Sequence, residues 1–182
     1  QDDVIELESL GLSDFRHLDS RRKRKFLILN ESEFDRFFPQ GRWYEVKAGR
    51  LVALVVDTTQ ALSQASHQGQ WLRSRLESLS QEPDIWIVAS HHHPVYSTGP
   101  HGPHGAAVRD LKPLYEQFGV DVVFQGHDHL YERATLNGVN YIVTGGGGAP
   151  IYHSKIDQPP TTQFRASVHH RIRMKVTRKN LY

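Results

Sequence analysis

From Trp43 onward, apolar and polar positions alternate in blocks that read as strands and helices in turn. Leu51-Val52-Ala53-Leu54-Val55-Val56 is a continuous apolar run ending at Asp57-Thr58-Thr59, the pattern of a strand buried on both faces. Leu72, Leu76 and Leu79 then recur at helical spacing with Trp71 beside them, and Pro83 closes that helix. Ile85-Trp86-Ile87-Val88 predicts a second buried strand. Residues 97–105, rich in Gly, Pro and His, predict a surface loop. Ala107, Leu111, Leu114 and Phe118 mark one face of a second helix, which Pro113 kinks or restarts and Gly119 stops. Val122-Val123-Phe124 predicts a third strand. Strand, helix, strand, helix, strand is the order of a parallel α/β sheet.

The pattern then changes. Glu132 to Leu136 and Val139 to Val143 flank Asn137-Gly138, a pair that accepts the positive φ angles of a type I′ hairpin turn. The run Gly145 to Gly148 lacks the Lys-Ser/Thr and the following helix of a phosphate-binding P-loop, and reads as close backbone packing or a loop near a site. In the tail, Ile172, Met174 and Val176 alternate with Arg171, Arg173 and Lys175, predicting a half-buried strand. Residues 1–40 form a poorly defined polar and basic segment with one short candidate strand, Phe26-Leu27-Ile28-Leu29, and residues 41–182 form the organised body.

Composition narrows the partners rather than the fold. A net charge of +2 is too small to imply nucleic-acid binding, and the basic run Arg21 to Lys25 reads as a solvated patch. No apolar run is long enough to span a bilayer, so no membrane span is expected. With no cysteine, a thiolate metal site is impossible.

Histidine carries the chemistry. Seven of the twelve histidines fall between residues 91 and 129. Five of them lie in His91-His92-His93-Pro94-Val95-Tyr96 and in Gly126-His127-Asp128-His129, each directly after a predicted buried strand, and His101 and His104 lie in the loop between. Neutral imidazole keeps a lone pair for transition metals near neutral pH. In open α/β sheets, ligands gather beyond the carboxyl ends of the strands. Histidines delivered there from two strands are therefore candidate metal ligands.

In their order and spacing, His92-x-Pro94-x-Tyr96, the His101-Gly102-Pro103 loop and Gly126-His127-Asp128-His129 resemble the carboxyl-terminal half of a calcineurin-like metallophosphoesterase, nearest in pattern to the purple acid phosphatases. Phe38-Pro39 before Trp43-Tyr44, the strand ending Val56-Asp57-Thr58, and Gln70-Trp71-Leu72 extend the resemblance over roughly residues 37–150. It implies a four-layer αββα sandwich of α/β class, of which this chain holds the carboxyl-terminal half. It also implies two transition-metal ions (Fe, Zn or Mn) about 3.5–4 Å apart in the complete domain. By resemblance, His92 and His127 bind one ion and His129 the other. His101 takes the place of the acid that protonates the leaving alcohol, with His104 as its rival. His91 and His93 stand behind the ligands or face the substrate, and Tyr96 packs under the site. The implied reaction is attack of metal-bound hydroxide on a phosphate ester. The implied compartment is extracytoplasmic.

The same resemblance exposes a gap. The family's carboxylate and asparagine ligands, in Asp-x-His/Gly, Gly-Asp-x-x-Asp/Tyr and Gly-Asn-His motifs, have no counterpart in this sequence. Asp57 ends a strand, but the family does not use that position as a ligand. Without a bridging carboxylate two close cations repel, so at most one ion is expected for this chain alone, and the missing amino-terminal half of the domain is an expected partner. The alternative reading is a non-catalytic binding or scaffold domain that keeps the fold without a complete dinuclear site.

Overall fold

A computed structural model describes residues 40–154 and 156–182. The candidate strand at Phe26 to Leu29, the basic run and Phe38-Pro39 lie outside the described residues. Within them, the elements follow in the order β1 (Tyr44–Ala48), β2 (Leu51–Val55), α1 (His67–Leu79), β3 (Trp86–His91), a π-helical turn (Ala107–Leu111) running into α2 (Lys112–Gln117), β4 (Val122–Gln125), β5 (Tyr131–Leu136), β6 (Val139–Thr144) and β7 (Thr162–Ala166).

The strands form one seven-stranded sheet in the order β1-β2-β3-β4-β6-β5-β7. The neighbours β2, β3, β4 and β6 run parallel. β1 and β5 run antiparallel to β2 and β6, and β7 runs antiparallel to β5. The parallel centre needs cover on its faces because its strands are apolar on both sides. On one face Val52, Leu54, Val56, Ile87, Ala89 and Val123 pack under Leu72, Leu76 and Leu79 of α1 and under Leu111, Leu114 and Tyr115. Each such leucine, removed wholly from water, contributes about 1.5–3 kcal/mol. On the other face Leu51, Val88 and Val122 meet Met174 and Val176 of the tail, with Trp86, Phe124, Ile142 and Leu181 around them. A hollow of about 510 Å³ remains on that side. Among the described residues, one helix layer and one sheet supply two of the four layers the resemblance implies.

Local chemistry explains the boundaries. The Ser66 hydroxyl accepts the Gly69 N–H at 3.1 Å and caps α1. Pro113 stands in the first turn of α2, so it restarts the helix after the π-helical turn, and Gly119 stops it at φ +69°. Asn137 and Gly138 adopt φ of +48° and +85°, as the I′ turn requires. The tail departs from expectation. Its alternation is right, with Met174 and Val176 buried, but no strand forms there. An isolated bridge from Val176 to Leu181 and the paired bonds between Lys175 and Tyr182 close the tail on itself, while Met174 and Val176 lie against Leu51, Val88 and Val122. None of the described helices is long and apolar enough to cross a membrane.

Candidate metal centre

Parallel pairing assembles the centre. β3 and β4 are neighbours with His91 opposite Gln125, and the Gly126 N–H donates to the His92 carbonyl at 2.9 Å. Two residues from adjacent strand ends, His92 and His127, therefore meet. His92 Nε2 stands 3.1 Å from His127 Nδ1. His127 holds φ +69°, a left-handed conformation rare for a residue with a Cβ, and such strain gathers at functional sites.

The other histidines surround this pair at different ranges. The rings of His93 and His101 lie 4.9 Å and 4.3 Å from that of His127, and the His104 ring lies 4.7 Å from that of His93. His129 stands apart. Its Nδ1 lies 2.8 Å from the Pro150 carbonyl, and its ring stacks on Tyr152 at 4.1 Å. Among the described residues, the side chains whose ligand atoms all fall within 4.8 Å of one another are His92, His93 and His127. Tyr96 turns toward β7, its hydroxyl 2.7 Å and 2.9 Å from the Thr161 and Thr162 hydroxyls.

Crowding sets the charge state. Desolvation, then the neighbouring histidines, lowers the pKa of His92. Desolvation comes first for His93 too, followed by His104 and His127, with Asp57 opposing. In His127 desolvation and His101 lead, and Asp128 opposes. All three are therefore biased toward the neutral imidazole that a metal requires. His91 is wholly buried; desolvation pushes its pKa down to about 4 against a bond to the His93 carbonyl. Its Nδ1 donates to that carbonyl at 2.9 Å, while Nε2 is buried with no partner among the described residues. A proton on Nε2 would have no acceptor. His91 thus supports the His93 backbone as a neutral ring stacked on Tyr115.

A stability prediction follows from His91. Because the fold favours the neutral form, its contribution is complete above the ordinary histidine pKa near 6.5 and is lost as pH falls from there toward about 4. In the metal-free chain this amounts to roughly 3 kcal/mol across that window. Urea denaturation at pH 7 and pH 4.5 checks it: His91→Phe is expected to shrink the difference, leaving the part due to His92, His93 and His127, and an equally steep loss in the variant would refute the assignment.

Four polar residues that sequence reasoning passed over hold the site. The Gln125 side chain, fully buried, accepts the Val95 N–H at 2.6 Å and donates to the Tyr96 carbonyl at 2.9 Å. Asp128, fully buried, accepts from the Ser97 hydroxyl at 2.5 Å and from the His101 N–H at 3.0 Å. Glu132, fully buried, accepts from the Thr98 N–H at 2.7 Å and from the Thr98 and Thr162 hydroxyls at 2.6 Å each. The Thr58 hydroxyl accepts the His93 N–H at 3.1 Å. Asp128 sits inside the histidine motif, so its position was visible but its burial was not. Gly145 explains part of the glycine run: a Cβ there would lie 2.2 Å from the Asp128 carbonyl oxygen, so close backbone packing admits only glycine.

The donor set fits one metal ion. Among the described residues it offers imidazole nitrogens but no carboxylate beside them to bridge two cations. Asp57 Oδ1 accepts from the N–H and hydroxyl of Thr59, and its Oδ2 lies 3.6 Å from Arg42. Asp128 and Glu132 are spent on the loop.

Comparison with known proteins agrees with this architecture. The family model for calcineurin-like phosphoesterases matches residues 6–131, reaching well into the amino-terminal segment. A purple acid phosphatase of Glycine max is 30% identical over 112 residues, covering 60% of this chain and 24% of the relative. The Fe(3+)-Zn(2+) purple acid phosphatase 12 of Arabidopsis thaliana is 30% identical over 114 residues, with 60% and 24% covered. A solved purple acid phosphatase from yellow lupin (Lupinus luteus) seeds superposes with a TM-score of 0.63 at 21% identity, over 69% of this chain and 26% of that one. The chain thus spans about a quarter of the length of the curated relatives it matches. With the matched family model covering most of the chain and the sheet assembled as that family's, this protein belongs to the calcineurin-like phosphoesterases, with purple acid phosphatases among its relatives.

Proposed function

We propose that this chain carries half of the active site of a metal-dependent phosphate-ester hydrolase of the acid-phosphatase kind. The observation that carries the reading is the meeting of His92 and His127 at the ends of two parallel strands, with the His101 ring 4.3 Å from His127. In the complete domain His92 and His127 hold one ion and His129 the other, Fe and Zn being the pair named for one relative. Bound metals activate water and neutralise charge on the phosphoryl oxygens. The carboxylates that two ions require belong, on this reading, to the part of the domain the chain does not span.

What this chain's own residues contribute is orientation and a proton. His101 gives its proton to the departing alcohol oxygen, and its backbone is fixed by the bond from its N–H to Asp128. His104 is less suited, because its Nδ1 accepts the Ala107 N–H at 3.4 Å and would lose that bond when protonated. Holding an acid against the leaving group is typically worth about 10²–10⁴-fold in rate.

The test uses the complete protein, loaded with metal, and a chromogenic phosphate monoester. His101→Ala is expected to lower kcat by about 10²–10⁴-fold with metal content unchanged. Absence of turnover in the metal-loaded parent protein would sink the enzymatic reading and leave the non-catalytic scaffold in its place.

A further inference from the structure

The geometry points to a single-ion site in this chain built by His92, His93 and His127, with His93 as a ligand that the phosphoesterase pattern does not assign. The inference rests on the reading of His92 and His127 as ligands and completes their sphere.

The first support is distance. Two imidazole nitrogens bound to one tetrahedral Zn²⁺ at 2.0–2.1 Å stand about 3.3 Å apart. His92 Nε2 and His127 Nδ1 stand 3.1 Å apart, and the His93 ligand atom lies within 4.8 Å of both. Small rotations of three partly exposed rings converge them on one point. His129 is outside this group and faces Pro150 and Tyr152 instead.

The second support is the partner of His93. A metal-bound histidine almost always donates its other ring N–H to an oxygen, which fixes the tautomer and the ring orientation. His93 Nδ1 lies 2.8 Å from Thr58 Oγ1, and that same oxygen accepts the His93 backbone N–H. With Nδ1–H donated to Thr58, Nε2 keeps the free lone pair. Thr58 follows the end of β2, so three adjacent parallel strands serve the site: β3 and β4 bring the ligands, and β2 brings the oxygen that orients one of them.

The third support is chemical composition. Three neutral imidazoles and one open position make a recognised Zn²⁺ donor set, and it needs no bridging carboxylate. It is therefore a set this chain can complete from its own residues. His92 is exposed, which leaves the fourth position open to water or to a phosphate oxygen.

The experiment is Zn²⁺ titration of the 182-residue protein by calorimetry, with Co²⁺ as a spectroscopic substitute. Wild type is expected to bind one ion and to show the intense visible absorption of four-coordinate Co²⁺. Thr58→Val should weaken binding by about 10–100-fold, the usual effect of removing a ligand's hydrogen-bond partner. His93→Ala should weaken it by more than that, while His67→Ala, at the start of α1, leaves it unchanged. Loss of binding in His129→Ala with full binding in His93→Ala would overturn the inference, and so would a wild type that binds nothing. Turnover by the complete protein is measured separately, so failure of this ligand set is distinguishable from failure of the hydrolase reading.

Discussion

His127→Ala in the complete protein is expected to remove bound metal and phosphate-monoester hydrolysis together. The rate loss should be at least about 10²–10³-fold, the scale set by deleting one preorganised electrostatic group at a transition state. His127 is the position at which the geometry concentrates: its Nδ1 faces His92, and its ring borders those of His93 and His101. It also occupies the one backbone conformation of the site that a side chain resists, at φ +69°. A Cβ in the left-handed region costs roughly 1–2 kcal/mol, which alanine keeps and glycine removes. The metal-free 182-residue chain should therefore be more stable as His127→Gly than as His127→Ala, by about 1 kcal/mol after glycine's extra entropy is counted. Urea denaturation reads the stability, and elemental analysis with a chromogenic substrate reads the function. Metal and turnover retained in His127→Ala would remove His127 from the site. Glycine and alanine variants of equal stability would mean that the turn carries no strain.

How far the site could be read from sequence depended on which physical signal each part leaves. β2, β3 and β4 are buried on both faces, so their apolar runs announce them. β1 is an edge strand whose Val46 and Lys47 are exposed and whose Glu45 pairs with Arg75, and its short, mixed composition hides it. β7 is likewise concealed, since Thr162 alone is fully buried and its pairing is with β5 only. The meeting of His92 and His127 was legible because parallel neighbours bring consecutive strand ends together. The inclusion of His93 in the nitrogen cluster was not. Motif spacing says which residues leave a strand end but not where each ring turns, and that is decided by a threonine thirty-five positions away. The same limit applies to Asp128, whose role depends on a loop folding back over it.

Asp128→Ala is expected to damage both the fold and the positioning of His101. Its carboxylate lies fully buried and receives the Ser97 hydroxyl and the His101 N–H. Gly99 crosses so near that a Cβ there would fall 2.2 Å from the Asp128 Cγ. Hydrogen bonds to a charged group contribute about 1.5–3 kcal/mol each, and a buried donor left unpaired costs about 1–3 kcal/mol. Truncation therefore destabilises the chain by about 3–5 kcal/mol. Asp128→Asn is the sharper probe. It preserves volume and one acceptor but turns an NH₂ toward a donor, so it should cost about 2–3 kcal/mol while the fold survives. The readout that separates positioning from mere stability is local. Hydrogen exchange at the His101 amide should accelerate far more than exchange in β3 or β4, because the bond protecting it is the one removed. In the complete protein the same variant should lower kcat more than it raises KM, since an acid held loosely fails in the transition state rather than in binding. Uniformly faster exchange throughout the sheet would reduce Asp128 to a core residue. Unchanged exchange at His101 would mean that the loop is held by Glu132 and the Thr98 contacts alone.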